Sequence, residues 1–222
     1  MSAEIAIREI TDVSAEPAVR GFVHEPVKPT GDGLVLTHGA GANCESKLLV
    51  ALAQAFADIA GFTVLRCDLP FRQKRPQGPP FPGSAETDRK GLQRAVEVLN
   101  KSLSGKVFLG GHSYGGRQAT MLSSDDHQLV AGLLLLSYPL HPPRKPAELR
   151  TNHFPKLRTP LLFVHGARDP FGSLEEMNSA LQLIPARHML LGIAGAGHEL
   201  LSAKTSADLP QQIVEAFREF FC

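Results

Sequence analysis

A set of short apolar runs recurs along this chain, with longer amphipathic stretches between them. "GLVLTHG" opens at Gly33, "FTVLRCDLP" at Phe62, "KVFLGG" at Lys106, "VAGLLLLSYP" at Val130, "TPLLFVHG" at Thr159 and "HMLLGI" at His188. Continuous apolarity over so few residues is the pattern of strands buried on both faces. Between them, "ESKLLVALAQAFADIAG" sets Leu48, Leu49, Leu52, Phe56 and Ile59 at helical spacing, with Gly61 as a stop. Residues 84–103 carry the stripe Leu92, Ala95, Val96 and Leu99, with Ser84 as the expected N-cap and Thr87 in the first turn. "LPQQIVEAFREFF" reads as an amphipathic closing helix with Pro210 at its start. Strands alternating with helices in this way imply an α/β fold, a mostly parallel central sheet with helices on both faces. The opening runs "IAIREI" and "VRGFVHE" are expected to add an antiparallel pair. No repeat, low-complexity tract or long linker divides the chain, so one domain over residues 1–222 is expected.

Composition narrows the function classes. Hydrophobic residues make up 43% of the 222, enough for a sizeable core. A formal net charge of +1 supplies no field to recruit nucleic acid or an acidic surface. No apolar run approaches bilayer length. The start, "MSAEIAIREI", is interrupted by Glu4, Arg8 and Glu9 and does not read as a secretory signal. Cys44, Cys67 and Cys222 are odd in number and far apart, which suggests neither a disulfide framework nor a metal site. The expectation is a reduced, cytoplasmic protein, a monomer or homodimer, with no metal and no nucleic-acid or membrane partner.

Two irregular stretches follow strand ends, the edge where open α/β sheets bind ligands. Residues 71–83, "FRQKRPQGPPFPG", are expected to be a surface loop pinned by Phe71 and Phe81. Arg72, Lys74 and Arg75 would form a basic patch there, favouring carboxylate- or phosphate-bearing substrates if it faces the site. A charge run of this kind is more often simply solvated. Residues 140–158 are too few for a large cap domain, which implies a shallow, open site.

The stretch "LGGHSYGGRQA" carries the chemistry. Gly111-His112-Ser113-Tyr114-Gly115 is a G-x-S-x-G string with an apolar strand before it and a helical run after it. That is the strand-turn-helix context of a nucleophile elbow. A serine hydroxyl needs a general base, and the base needs an orienting acid. In chain order, Asp169 in "HGARDPFG" and His198 in "GAGHEL" each follow a strand, where loops at one sheet edge can converge on Ser113. Asp169 before Pro170 equally suits a simple turn. Asp68 is a weaker acid because its chain order is wrong. His38 and His165 read as packing or hydrogen-bonding positions. The elbow should turn His112 away, and His24, His127, His153 and His188 look like ordinary surface or strand residues. Oxyanion donors are expected at the Tyr114 amide and, in "HGAGAN", at the Ala40 amide. No organic cofactor is implied, because a triad activates its own nucleophile.

Taken in order, "LTHGAGAN", "GGHSYGG", "HGARDPFG" and "GAGHEL" resemble the α/β-hydrolase superfamily over essentially the whole chain. "RCDLPFRQKRPQGPP" and "SYPLHPPRKPAELR" are similar to small bacterial hydrolase-like proteins. Those are related to a testis-expressed animal protein and to a subunit of a histone acetyltransferase complex, and they also resemble dienelactone-hydrolase-type enzymes. The resemblance implies an α/β-hydrolase fold without a large cap. It also implies Ser113 as nucleophile, Asp169 as acid, His198 as base, and Ala40 and Tyr114 as oxyanion donors. The expected activity is a serine hydrolase that cleaves a small-molecule ester or thioester through an acyl-enzyme. The alternative is a non-catalytic α/β-hydrolase-like domain that binds a partner, as some animal relatives do.

Overall fold

The computed structural model describes residues 5–201 and 208–222. The first four residues of the opening stretch read above lie outside the described residues. The strands are β1 (Ala6–Asp12), β2 (Val19–Glu25), β3 (Gly33–Thr37), β4 (Thr63–Cys67), β5 (Val107–His112), β6 (Leu133–Leu136), β7 (Leu161–Gly166) and β8 (His188–Ile193). The helices are α1 (Lys47–Ile59), α2 (Pro70–Lys74), α3 (Ser84–Asn100), α4 (Tyr114–Asp125), α5 (Leu174–Leu181) and α6 (Leu209–Phe221). A 3-10 turn covers Phe154–Lys156. These strands form one sheet in the order β1-β2-β4-β3-β5-β6-β7-β8. The expected antiparallel pair is β1 with β2, and β2 also runs against β4; every later pairing is parallel.

Alternation hides inside the apolar runs. Leu34, Leu36, Phe108, Leu134 and Leu136 face α1 and α6, where Leu49, Leu52, Phe56, Ile213 and Phe217 meet them. Val35, Leu109, Leu133, Leu135 and Phe163 face the other way, against Leu92, Ala95 and Val96 of α3, Ala119 of α4 and Met177 of α5. Each of β3, β4, β5, β6 and β7 therefore fills two cores with a period of two. Among the described residues, no helix is long and apolar enough to cross a membrane.

Several expectations need correction. Residues 71–83 do not stay irregular from the start: Pro70 sits in the first turn of α2, which buries Phe71 and Arg72. Phe81 is 51% exposed and lies outside the core, its ring covered by the Arg75 guanidinium at 4.8 Å. Arg72 is turned inward and so leaves the expected basic patch, of which Lys74 is exposed and Arg75 half-buried. Gly83, not Ser84, caps α3, and the helix stops at Asn100. Ile59 belongs to the helical stripe by spacing but lies outside the core. His24 is no surface residue: it is fully buried and its Nε2 accepts from Arg66 Nε at 2.8 Å. The helix α5 was not anticipated. It starts at a capping box in which Ser173 and Glu176 exchange side-chain and backbone hydrogen bonds.

Two packing features generate tests. The turn from β5 into α4 closes against the end of β3, so that a Cβ on Gly115 would lie 2.6 Å from the His38 carbonyl oxygen and 2.6 Å from Thr37 Cγ2. Gly115→Ala is expected to destabilise the fold by about 1–3 kcal/mol through overpacking, measured by urea unfolding. Burial also holds His24 and His38 near a pKa of about 4, below their ordinary 6.5. The unfolded chain takes up those protons first, so stability is complete above pH 6.5 and is lost as pH falls from there towards 4. The unfolding free energy at pH 5 is expected to lie below that at pH 7.5 by on the order of 1 kcal/mol for each of the two imidazoles. His24→Gln should narrow that gap; an unchanged gap would remove His24 from the account.

Candidate active site

Four loops at the carboxyl ends of parallel strands meet at one edge of the sheet. The loop after β3 carries residues 38–43, the turn after β5 carries Ser113, the loop after β7 carries Asp169, and the loop after β8 carries His198. Gly39, Ala40, Gly41, Ala42, His112, Ser113, Phe171, His198 and Glu199 line a cleft of about 380 Å³ between them. A larger concavity, about 600 Å³, opens among Lys28, Ala57, Gly61, Phe62, Arg218 and Cys222, and shares no residue with these loops.

Ser113 sits at φ 51° and ψ −114°, a conformation that L side chains rarely adopt. Two constraints hold it there. Its amide donates to the Leu136 carbonyl at 2.8 Å, and its own carbonyl accepts from the Arg117 amide at 3.0 Å as α4 begins. The chain can reverse this sharply because Gly111 lies against Gly115 and Gly116: a Cβ there would come within 2.5 Å of their backbone atoms. Tyr114 supplies the first amide of α4, one that no earlier turn of the helix can satisfy.

The hydroxyl meets a relay of two hydrogen bonds. His198 Nε2 lies 2.8 Å from Ser113 Oγ, and His198 Nδ1 lies 2.8 Å from Asp169 Oδ2. The carboxylate can only accept, so Nδ1 carries the proton and Nε2 is free to accept from the serine. Asp169 is itself fixed: its side chain is fully buried, and Oδ1 accepts from the Phe171 amide at 2.9 Å. Phe171 then stacks on the His198 ring at 4.3 Å between centroids and walls the imidazole on one side. The structure thus brings Ser113, Asp169 and His198 together. Asp68 lies elsewhere, accepting from the Cys44 amide at 2.7 Å and facing His38 at 3.4 Å.

The loop after β3 lines the cleft with Gly39, Ala40, Gly41 and Ala42. The Gly39 carbonyl is occupied by the His38 Nδ1–H at 2.8 Å and by the Ala42 amide at 3.2 Å. In a trans peptide the N–H points opposite to the C=O, so the Ala40 amide is directed away from those partners. No backbone acceptor takes the Ala40 or Gly41 amide among the described residues.

Reading the sequence missed several supports of this site. Asp88 of α3 is buried and accepts from the Phe71 amide at 3.0 Å and the Tyr114 hydroxyl at 2.8 Å, which anchors the residue after Ser113. Burial pushes its carboxyl pKa up, and these two donors oppose the shift. The polar stripe of α3 gave no sign that Asp88 faces inward. His112 does not turn away from the site: its Nε2–H donates to the His198 carbonyl at 2.9 Å, and the two rings lie 5.1 Å apart. His165 is the bracing residue expected, with Nε2–H on the Gly172 carbonyl at 2.8 Å.

Solved structures of low sequence identity share this architecture throughout. A dienelactone hydrolase from Anabaena variabilis is 20% identical, covers 99% of this chain and 100% of its own, and superposes with a TM-score of 0.75. Est1E from Butyrivibrio proteoclasticus is 16% identical, with coverage of 96% on each side and a TM-score of 0.72. An esterase from Pyrococcus furiosus is 15% identical, covers 100% of this chain and 93% of its own, and reaches 0.72. Residues 31–221, from just before β3 to the end of α6, match the family model described as an alpha/beta hydrolase domain, and the chain belongs to that family.

Proposed function

We propose that this protein is a serine hydrolase that cleaves a small ester or thioester through an acyl-enzyme. The observation that carries the reading is the unbroken relay from Ser113 Oγ through His198 to Asp169, with 2.8 Å at each link. It is the arrangement that makes an alcohol nucleophilic near neutral pH.

In the first half-reaction, Ser113 Oγ attacks the acyl carbon and its proton passes to His198 Nε2. The carbonyl oxygen becomes an oxyanion facing the Ala40 and Tyr114 amides. Asp169 stabilises the imidazolium that forms. Collapse of the intermediate breaks the bond to the leaving alkoxide or thiolate, which takes the proton from Nε2. Water repeats the sequence on the acyl-serine, releasing a carboxylic acid and restoring the hydroxyl. Relatives in fold are described as a dienelactone hydrolase and as esterases, which supports ester chemistry as the class to test. The cleft is small and the β6–β7 connection short, which favours compact or exposed acyl groups.

A fluorophosphonate probe is expected to label the wild type at Ser113, with the modified peptide identified by mass spectrometry. Ser113→Ala should abolish labelling and lower p-nitrophenyl acetate turnover by at least about 10³-fold. An unlabelled wild type whose residual turnover is unchanged in Ser113→Ala would leave the non-catalytic binding domain as the better reading. Asp169→Asn should fold normally yet lower kcat by about 10³–10⁴-fold, since an amide admits the wrong imidazole tautomer. Full activity in that variant would remove Asp169 from the relay.

A further inference from the structure

Arg72 is 5% exposed, yet no carboxylate lies within 4 Å of its guanidinium among the described residues. Its N–H groups go instead to carbonyl oxygens of two loops. Nη2 donates to Ala40 at 2.7 Å and to Gly78 at 3.0 Å, Nε to Ala42 at 2.7 Å, and Nη1 to Arg75 at 3.0 Å. Burying a cation without a counter-ion is costly, and four carbonyl dipoles offset only part of that. A neutral side chain or ordinary loop packing would hold residues 75–78 at less cost. The distinctive part of the arrangement is the grip on Ala40 and Ala42.

From this geometry we infer that Arg72 is a positioning residue of the oxyanion loop: by holding the Ala40 and Ala42 carbonyls it fixes the path of the backbone that carries the Ala40 amide, and it places a fixed positive charge behind that loop. The inference rests on the serine-hydrolase reading above. Drawing the Ala40 carbonyl towards Nη2 turns the next amide, that of Gly41, to the opposite side, because the two groups of a trans peptide are antiparallel. The Gly39 carbonyl is held separately by His38 and the Ala42 amide, which directs the Ala40 N–H. Two consecutive amides bordering the cleft are therefore set by bonds on the far side of the loop. The guanidinium is kept in place by its stacking over Phe71 at 4.9 Å, and Phe71 packs edge-on against Tyr114 at 5.7 Å. The first turn of α2 thus touches both segments that carry oxyanion donors. A donor preset in this way costs no reorganisation when charge develops on the substrate oxygen.

The test compares wild type with Arg72→Gln, Arg72→Lys and Arg72→Ala, each normalised by fluorophosphonate active-site titration so that misfolded molecules are not counted. Expected for Arg72→Gln is a fall in kcat for p-nitrophenyl acetate of about 10- to 100-fold. KM should stay within about threefold, and the acid limb of the pH profile should not move, because the His198–Asp169 pair is untouched. Lysine keeps the charge but cannot bridge the carbonyls of both loops, so Arg72→Lys should recover only part of the loss. In Arg72→Ala, millimolar guanidinium should restore turnover while isosteric, neutral urea should not. Wild-type kcat per titrated site in both Arg72→Gln and Arg72→Lys would overturn the inference. So would equal rescue by urea, as far as the role of charge is concerned. An unlabelled wild type would instead defeat the hydrolase reading on which it stands.

Discussion

The backbone conformation at Ser113 is the constraint from which the rest of the site follows. A non-glycine residue at φ 51° costs free energy and persists only where its surroundings over-determine it. Here the Leu136 carbonyl holds its amide from β6, and the start of α4 holds its carbonyl. Gly111, Gly115 and Gly116 then allow strand, helix and the end of β3 to crowd together with no side chain between them. The same crowding brings the start of α4 against the end of β3, so that Ser113 and residues 39–42 border one cleft. Strain, packing and the placement of Ser113 at the cleft are therefore aspects of one local solution.

The sheet converts sequence order into proximity. β3, β5, β6, β7 and β8 run parallel in neighbouring positions, so each sends its following loop to the same edge. Ser113 and His198 are 85 residues apart in the chain and 2.8 Å apart in space because of it. The edge lies above two separate apolar cores, one on each face of the sheet. Residues at strand ends are thus held by a rigid frame.

What was legible in the sequence was whatever the local pattern determines. The buried strands announce themselves by apolar runs bounded by glycine and proline, and the elbow by its glycines. Ser113, Asp169 and His198 were legible as a set because each follows such a run in the right order. Other features depend on which way a side chain turns, and spacing does not say. Asp88 and Arg72 stand in polar stretches that read as surface, and only the fold shows that both face inward. Residues 71–83 read as pure loop because proline and glycine dominate the stretch, although Pro70 fits a first helical turn. His24 reads as an ordinary strand residue because its partner, Arg66, is supplied by β4, 42 residues away. The capping box of α5 was written in the sequence as Ser173 and Glu176, but its apolar stripe is too short to stand out from the loop around it.

The histidines at the strand ends differ in a way that suits one of them to the role of base proposed above. His38, His112 and His165 are all held below their ordinary pKa, chiefly by burial. Each spends one N–H on a backbone carbonyl, at Gly39, His198 and Gly172 respectively. They stay neutral and brace loops. His198 differs because its Nδ1–H goes to a buried carboxylate while its Nε2 opens onto the cleft. The neutrality of His112 matters most, since its ring lies 5.1 Å from that of His198. A second imidazolium there would oppose the charge that His198 would acquire in the proposed transfer of the serine proton. Burial suppresses that competitor, and its remaining N–H fixes the carbonyl of the base it adjoins. Proton transfer in such a site is directed as much by keeping neighbouring imidazoles neutral as by the carboxylate that favours one of them.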